Sequence, residues 1–259
     1  MIGAIGDSYT QAWTVSPKYR NDHTQFSWAI GSAPDDGVTS LLERFRALGG
    51  SPVVVDAATS GKQMKDALRQ ADLVVAAARK LRPGQTAYVT FELGTNDLCA
   101  SPDPMTDPAA FAAQLQSAVA VLKAGLPAGS RILMLPVPDF AHFRDITQAS
   151  AAAKTTLGLP KNRYRCAPYL GTSNADWLAR GNRYLSQYDA SLKAACDDIA
   201  TGGAAGPLFC TYGATRLADS DFTIADLSTY DYFHPSLAGQ ARMAADAWAA
   251  DVWGSAALP

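Results

Sequence analysis

The chain has no apolar run near the roughly 20 residues that cross a bilayer as a helix, so the mature protein is expected to be soluble, with no transmembrane segment. It has no dense Lys/Arg run, and its formal charge is -2. The electrostatic footprint of a nucleic-acid binder is therefore missing, and polyanionic partners are excluded. Charged residues make up 18% against 48% hydrophobic, a balance that rules out a disordered or fibrous chain and can fill a full core. There is no nucleotide-binding glycine loop, internal repeat or low-complexity tract. No charged-then-apolar leader precedes Gly3. A start at Met1, so close to the first candidate site, fits a leader already removed.

Cysteine and histidine are scarce. Cys99, Cys166, Cys196 and Cys210 form no CxxC pair and stand at no zinc-ligand spacing from a histidine, which argues against a metal. Their even number suits two disulfides. Three pairings are possible, and the short loop it closes favours Cys196–Cys210, with Cys99–Cys166 tying the loop after Asn96 to a later segment. Disulfides imply an exported, extracellular protein. Four unpaired thiols in a cytosolic protein are the alternative.

What is present is an alternation. Short apolar, β-branched runs at 1–5, 52–57, 86–93 and 131–137 read as buried strands, and helical patterns at 41–48, 64–81, 108–126 and 236–253 separate or follow them. This predicts a parallel sheet covered on both faces, a three-layer α/β/α sandwich of flavodoxin-like type. Residues 138–176, with Pro138, Pro160 and Pro168, read as an irregular insertion able to roof a crevice. A helical pattern returns at 174–200, and 202–207 is turn-rich. One domain over 1–259 is expected.

Three polar loops follow strands: Gly6-Asp7-Ser8, Thr59-Ser60-Gly61 and Gly94-Thr95-Asn96-Asp97. Ligands bind beyond the carboxyl ends of open parallel sheets, so these loops should converge. Ser8 is the candidate nucleophile. Asp231 precedes His234 by three residues, a spacing that lets a carboxylate hold one imidazole nitrogen while the other takes the serine proton. Asn96, with the N–H groups of Ser8 and Gly61, offers an oxyanion hole. Asp7 and Asp97 read as loop holders, and His23 and His142 lack a carboxylate three residues before them.

Gly6-Asp7-Ser8, Gly61, Gly94-Thr95-Asn96-Asp97 and Asp231-Tyr232-Phe233-His234 resemble, in order and spacing, the four sequence blocks of the SGNH hydrolases, also called GDSL esterases/lipases. The resemblance runs from position 6 to position 234. It implies a sheet of about five parallel strands, a Ser8 nucleophile, a His234 base oriented by Asp231, and an oxyanion hole of Ser8, Gly61 and Asn96. It also implies cofactor-free ester hydrolysis through an acyl-enzyme. Tyr9 stands where leucine or isoleucine is common, and the second block lacks the asparagine often found before its glycine. Cys99 after Leu98, and Phe233-His234-Pro235-Ser236, look like the secreted phospholipase B-like bacterial branch.

The substrate is then a small-molecule, lipid or glycan ester. Trp13, Phe26, Trp28, Phe140, Phe143 and Trp177 are candidate walls of its pocket. A carbohydrate O-acetyl esterase and an acyltransferase use the same acyl-enzyme, and a catalytically silent binding module is the reading from another class. A monomer is the default.

Overall fold

A computed structural model describes residues 1–99, 105–160, 166, 170, 174–213 and 221–250. Five parallel strands make one sheet in the order β2-β1-β3-β4-β5: β1 (Ile2–Gly6), β2 (Val54–Asp56), β3 (Tyr88–Glu92), β4 (Arg131–Met134) and β5 (Phe209–Tyr212). The flavodoxin-like α/β sandwich expected from the alternation is the fold observed. β1 and β3 are buried at every residue, as central parallel strands covered on both faces must be.

The helices are α1 (Leu41–Ala47), α2 (Ala67–Ala78), α3 (Thr95–Leu98), α4 (Pro108–Gly125), α5 (Phe140–Ala149), α6 (Ala151–Leu157), α7 (Ala175–Ile199) and α8 (Leu237–Ala250). Parallel crossovers are right-handed, so the reversal from β1→β2 to β2→β3 puts α1 and α2 on opposite faces. α2, α4 and α7 pack side by side, and α1 meets α8. Their starts are legible in the chain. Ser40 and Glu43 close a capping box on α1, Asp107 caps α4 with Pro108 in its first turn, and Asn174 caps α7.

The segment expected to be irregular is largely helical where it is described. Asp139 and Ser150 cap α5 and α6, with Pro138 just before the first cap and Pro160 beyond the second, so the prolines mark helix limits rather than disorder. Residues 161–165, 167–169 and 171–173, Pro168 among them, lie outside the described residues, as do 251–253 of the expected last helix. β5 is the strand the sequence pattern did not reveal. Its four residues form a half-exposed edge directly after a turn-rich tract.

Disulfides join Cys99 to Cys166 and Cys196 to Cys210. The second fastens α7 to the edge strand β5. Among the described residues, no helix is long and apolar enough to cross a membrane.

Candidate active site

The strand order reverses at β1, which opens a crevice between the carboxyl ends of β1 and β3. Ser8 leaves the first strand there and Asn96 the second. The turn into Ser8 is tight: a Cβ on Gly6 would lie 2.2 Å from Thr10 Oγ1, so only glycine fits. Gln70, from α2, grips the same residue, accepting from Gly6 N–H at 2.8 Å and donating to its carbonyl at 3.0 Å.

Ser8, His234 and Asp231 lie in one hydrogen-bonded line. Ser8 Oγ is 3.0 Å from His234 Nε2, and His234 Nδ1 is 2.7 Å from Asp231 Oδ2. All three are buried. The loop carrying the pair is closed by Ser228 N–H on the His234 carbonyl at 2.8 Å and by Tyr232 N–H on the Ser228 carbonyl at 2.7 Å. Asp231 Oδ1 accepts the backbone N–H groups of Phe233 and His234, each at 3.1 Å. Burial works against the Asp231 carboxylate, but the His234 charge and these hydrogen bonds outweigh it and hold its pKa below the ordinary value. A carboxylate kept ionised beside Nδ1 leaves Nε2 able to take the serine proton.

Asn96 is brought to the same place, though its amide is engaged. Nδ2 donates to Asp7 Oδ2 and to the Lys62 carbonyl, both at 2.9 Å. Among the described residues, nothing accepts the backbone N–H of Ser8 or of Gly61. Asp7 and Asp97 hold loops together: Asp7 Oδ1 accepts Tyr9 N–H at 2.9 Å, and Asp97 Oδ2 accepts Met64 N–H at 2.8 Å. Burial raises the Asp7 carboxyl to about 7 and the Asp97 carboxyl to about 6. Glu92, at the end of β3, is buried against Asp7 and is pushed well above its usual range, by desolvation first and by the neighbouring charge second. One proton shared by this acid pair is the economical state.

Sequence reasoning missed four polar residues that build the crevice. Besides Gln70 and Glu92, Gln11 donates to the Ala58 carbonyl at 2.9 Å and to both Asp56 carboxylate oxygens, binding the first loop to the second. Gln240 accepts Trp28 N–H and donates to the Tyr9 carbonyl, both at 2.9 Å. A signal existed for Gln70 and Gln240, since each is a polar residue on an otherwise apolar helical stripe.

The expected pocket walls divide. Trp13 is half-buried, with its ring centroid 6.2 Å from that of His234. Trp28, Phe140 and Phe143 do not reach solvent at all; they are core, because large aromatics fill space between layers before they line a cleft. Phe26 is buried in a small cluster with Ala12 and Val15. Trp177 packs at the edge of the core with Arg180 5.6 Å over its ring. His23 and His142 each engage a backbone carbonyl, of Arg20 and Phe222 respectively. Among the described residues, no group of three or more His, Cys, Asp or Glu is arranged to hold a metal.

Residues 4–242 match the family model described as the GDSL-like Lipase/Acylhydrolase family. Solved structures of similar fold include one titled TesA, 19% identical with a TM-score of 0.53, the match covering 96% of each chain. Another is the psychrotrophic esterase EstA from Pseudoalteromonas sp., inhibited by monoethylphosphonate. It is 17% identical with a TM-score of 0.51, covering 96% of this chain and 94% of that one. No curated protein matches the chain.

Proposed function

The chain belongs to the GDSL-like lipase/acylhydrolase family and is an ester hydrolase, and from that premise we propose that it cleaves carboxylic esters through an acyl-enzyme on Ser8. The observation that carries the reading is the buried line from Ser8 Oγ through His234 to Asp231, at 3.0 and 2.7 Å.

His234 Nε2 takes the hydroxyl proton as Ser8 Oγ attacks the ester carbonyl carbon. The oxygen that becomes negative is received by the N–H groups of Ser8 and Gly61 and by the Asn96 amide, which gives up one of its two present acceptors to do so. Collapse of the tetrahedral intermediate expels the alcohol, which takes the proton from Nε2. Water then repeats the cycle and releases the acid. Asp231 remains ionised throughout and steadies the imidazolium.

A secreted protein with one domain over 1–259 is part of the same reading, supported by two disulfides that suit an oxidising compartment. We place it nearest the phospholipase B-like bacterial branch, on Cys99 and the Phe233-His234-Pro235-Ser236 run, acting as a monomer on lipid-like esters.

The test is a fluorophosphonate probe together with p-nitrophenyl acetate. Stoichiometric labelling at Ser8 with loss of turnover is expected. A folded enzyme that turns over ester and remains unlabelled would exclude the covalent route. A set of acyl chain lengths beside acetylated xylan and a phospholipid decides the substrate class, and preference for acetyl groups on sugar would overturn the lipid assignment.

A further inference from the structure

Tyr9 follows the nucleophile in sequence, yet its side chain reaches the loop of the base. The peptide joining Phe233 to His234 is held at both polar ends. Its carbonyl oxygen accepts Tyr9 Oη–H at 2.7 Å, and its N–H donates to Asp231 Oδ1 at 3.1 Å. Among the described residues, no other donor reaches that oxygen.

Tyr9 is itself fixed. Its N–H donates to Asp7 Oδ1 at 2.9 Å and its carbonyl accepts from Gln240 Nε2 at 2.9 Å. Its ring stands edge-on to those of His234 and Phe233, at 5.7 and 5.8 Å. The side chain is wholly buried, so water does not compete for the bond, and a low local dielectric strengthens it.

From this arrangement we infer that Tyr9 is a positioning residue for His234: its hydroxyl clamps the Phe233–His234 peptide so that the imidazole stays aligned between Asp231 and Ser8. The inference rests on Ser8 and His234 acting as nucleophile and base. An apolar residue at position 9 fills the same space but leaves the peptide anchored at its N–H end alone, free to rock about the Asp231 contact. Tyr9 thereby links the nucleophile turn mechanically to the loop of its base, 224 residues further along.

Tyr9→Phe keeps the ring and removes the clamp. With folding checked by circular dichroism, kcat for p-nitrophenyl acetate should fall on the order of tenfold to a hundredfold, the scale for a slightly misplaced catalytic group, while KM holds. Fluorophosphonate labelling should slow by a similar factor. In an Asp231→Asn background the same change should cost less than about twofold, because the contact that the clamp protects is already lost.

Wild-type kcat in Tyr9→Phe, a change confined to KM, or full additivity with Asp231→Asn would each overturn the role. If wild-type protein itself escapes the probe, the reading of Ser8 fails instead, and the two failures are told apart. If Tyr9→Phe does not fold, Tyr9→Met carries the same test, since its flexible side chain adapts to the cavity without offering a donor.

Discussion

Asn96 and Asp7 are joined across the mouth of the crevice, Nδ2 to Oδ2 at 2.9 Å. The amide that the proposed mechanism directs at the developing oxyanion thus rests on Asp7, the residue before Ser8. An amide held in this way is oriented before substrate arrives, and transferring one hydrogen bond to a full negative charge favours the transition state over the ground state.

Asn96→Ala should therefore lower kcat on the order of a hundred- to a thousand-fold while KM changes little. Steady-state kinetics on p-nitrophenyl acetate measure both. A change in KM alone would mean that the amide binds substrate and leaves the charged intermediate to the backbone N–H groups of Ser8 and Gly61.

The Asp7–Glu92 pair should appear as a pH dependence of stability. Both carboxyls lie above their ordinary values in the folded chain, Asp7 at about 7, chiefly through burial. Folded values above unfolded ones mean that the stabilisation is complete at low pH, below the ordinary carboxyl range, and is lost as pH rises through the folded values. Glu92→Gln mimics the protonated acid and can donate to Asp7. Urea unfolding should find that its advantage over wild type grows as pH rises from about 4 to about 8, by about 1 kcal/mol or more. A difference that does not vary with pH would show that the pair shares no proton.

Much of this was legible in the chain because its causes are local. The strand ends before Ser8, Thr59 and Gly94 show as apolar runs giving way to glycine and small polar residues, and the three-residue step from Asp231 to His234 fits one closed loop. What stayed hidden depends on distant partners. Nothing near Tyr9 shows that its hydroxyl meets Phe233, and the periodicity around Glu92 reads as strand without betraying an acid beneath Asp7. The aromatic candidates Trp28, Phe140 and Phe143 failed for the same reason: composition gives a ring, and only the packing of layers decides whether it faces a cleft or the core.

The two disulfides should separate stability from turnover. Cys196 and Cys210 are 14 residues apart and fasten α7 to the strand farthest from β2, away from the β1–β3 crevice. Replacing both by alanine should remove about 3 kcal/mol of unfolding free energy, the loop-closure estimate for that length, and leave kcat at 25 °C unchanged. The Cys99–Cys166 bridge begins directly after α3, the short helix that carries Asn96. Replacing that pair should lower kcat as well as stability, measured by denaturant unfolding beside the ester assay; equal kinetic effects from the two bridges would place Asn96 outside its control.

Trp13 is the one expected pocket wall whose ring lies beside the reacting groups, 6.2 Å from the His234 ring. Its backbone N–H also donates to the Ser8 carbonyl at 2.9 Å, so the side chain is carried on the Ser8 turn itself. Half-buried there, the indole can cover the acyl chain of a bound ester, and each methylene it shields from water contributes about 0.8 kcal/mol. Trp13→Ala should then raise KM for a p-nitrophenyl octanoate far more than for the acetate, on the order of tenfold or beyond once several methylenes lose their cover. If acetate and octanoate suffer equally, with the loss in kcat, the ring acts on His234 rather than on substrate. In that case the acyl chain must be bound by a different wall of the crevice.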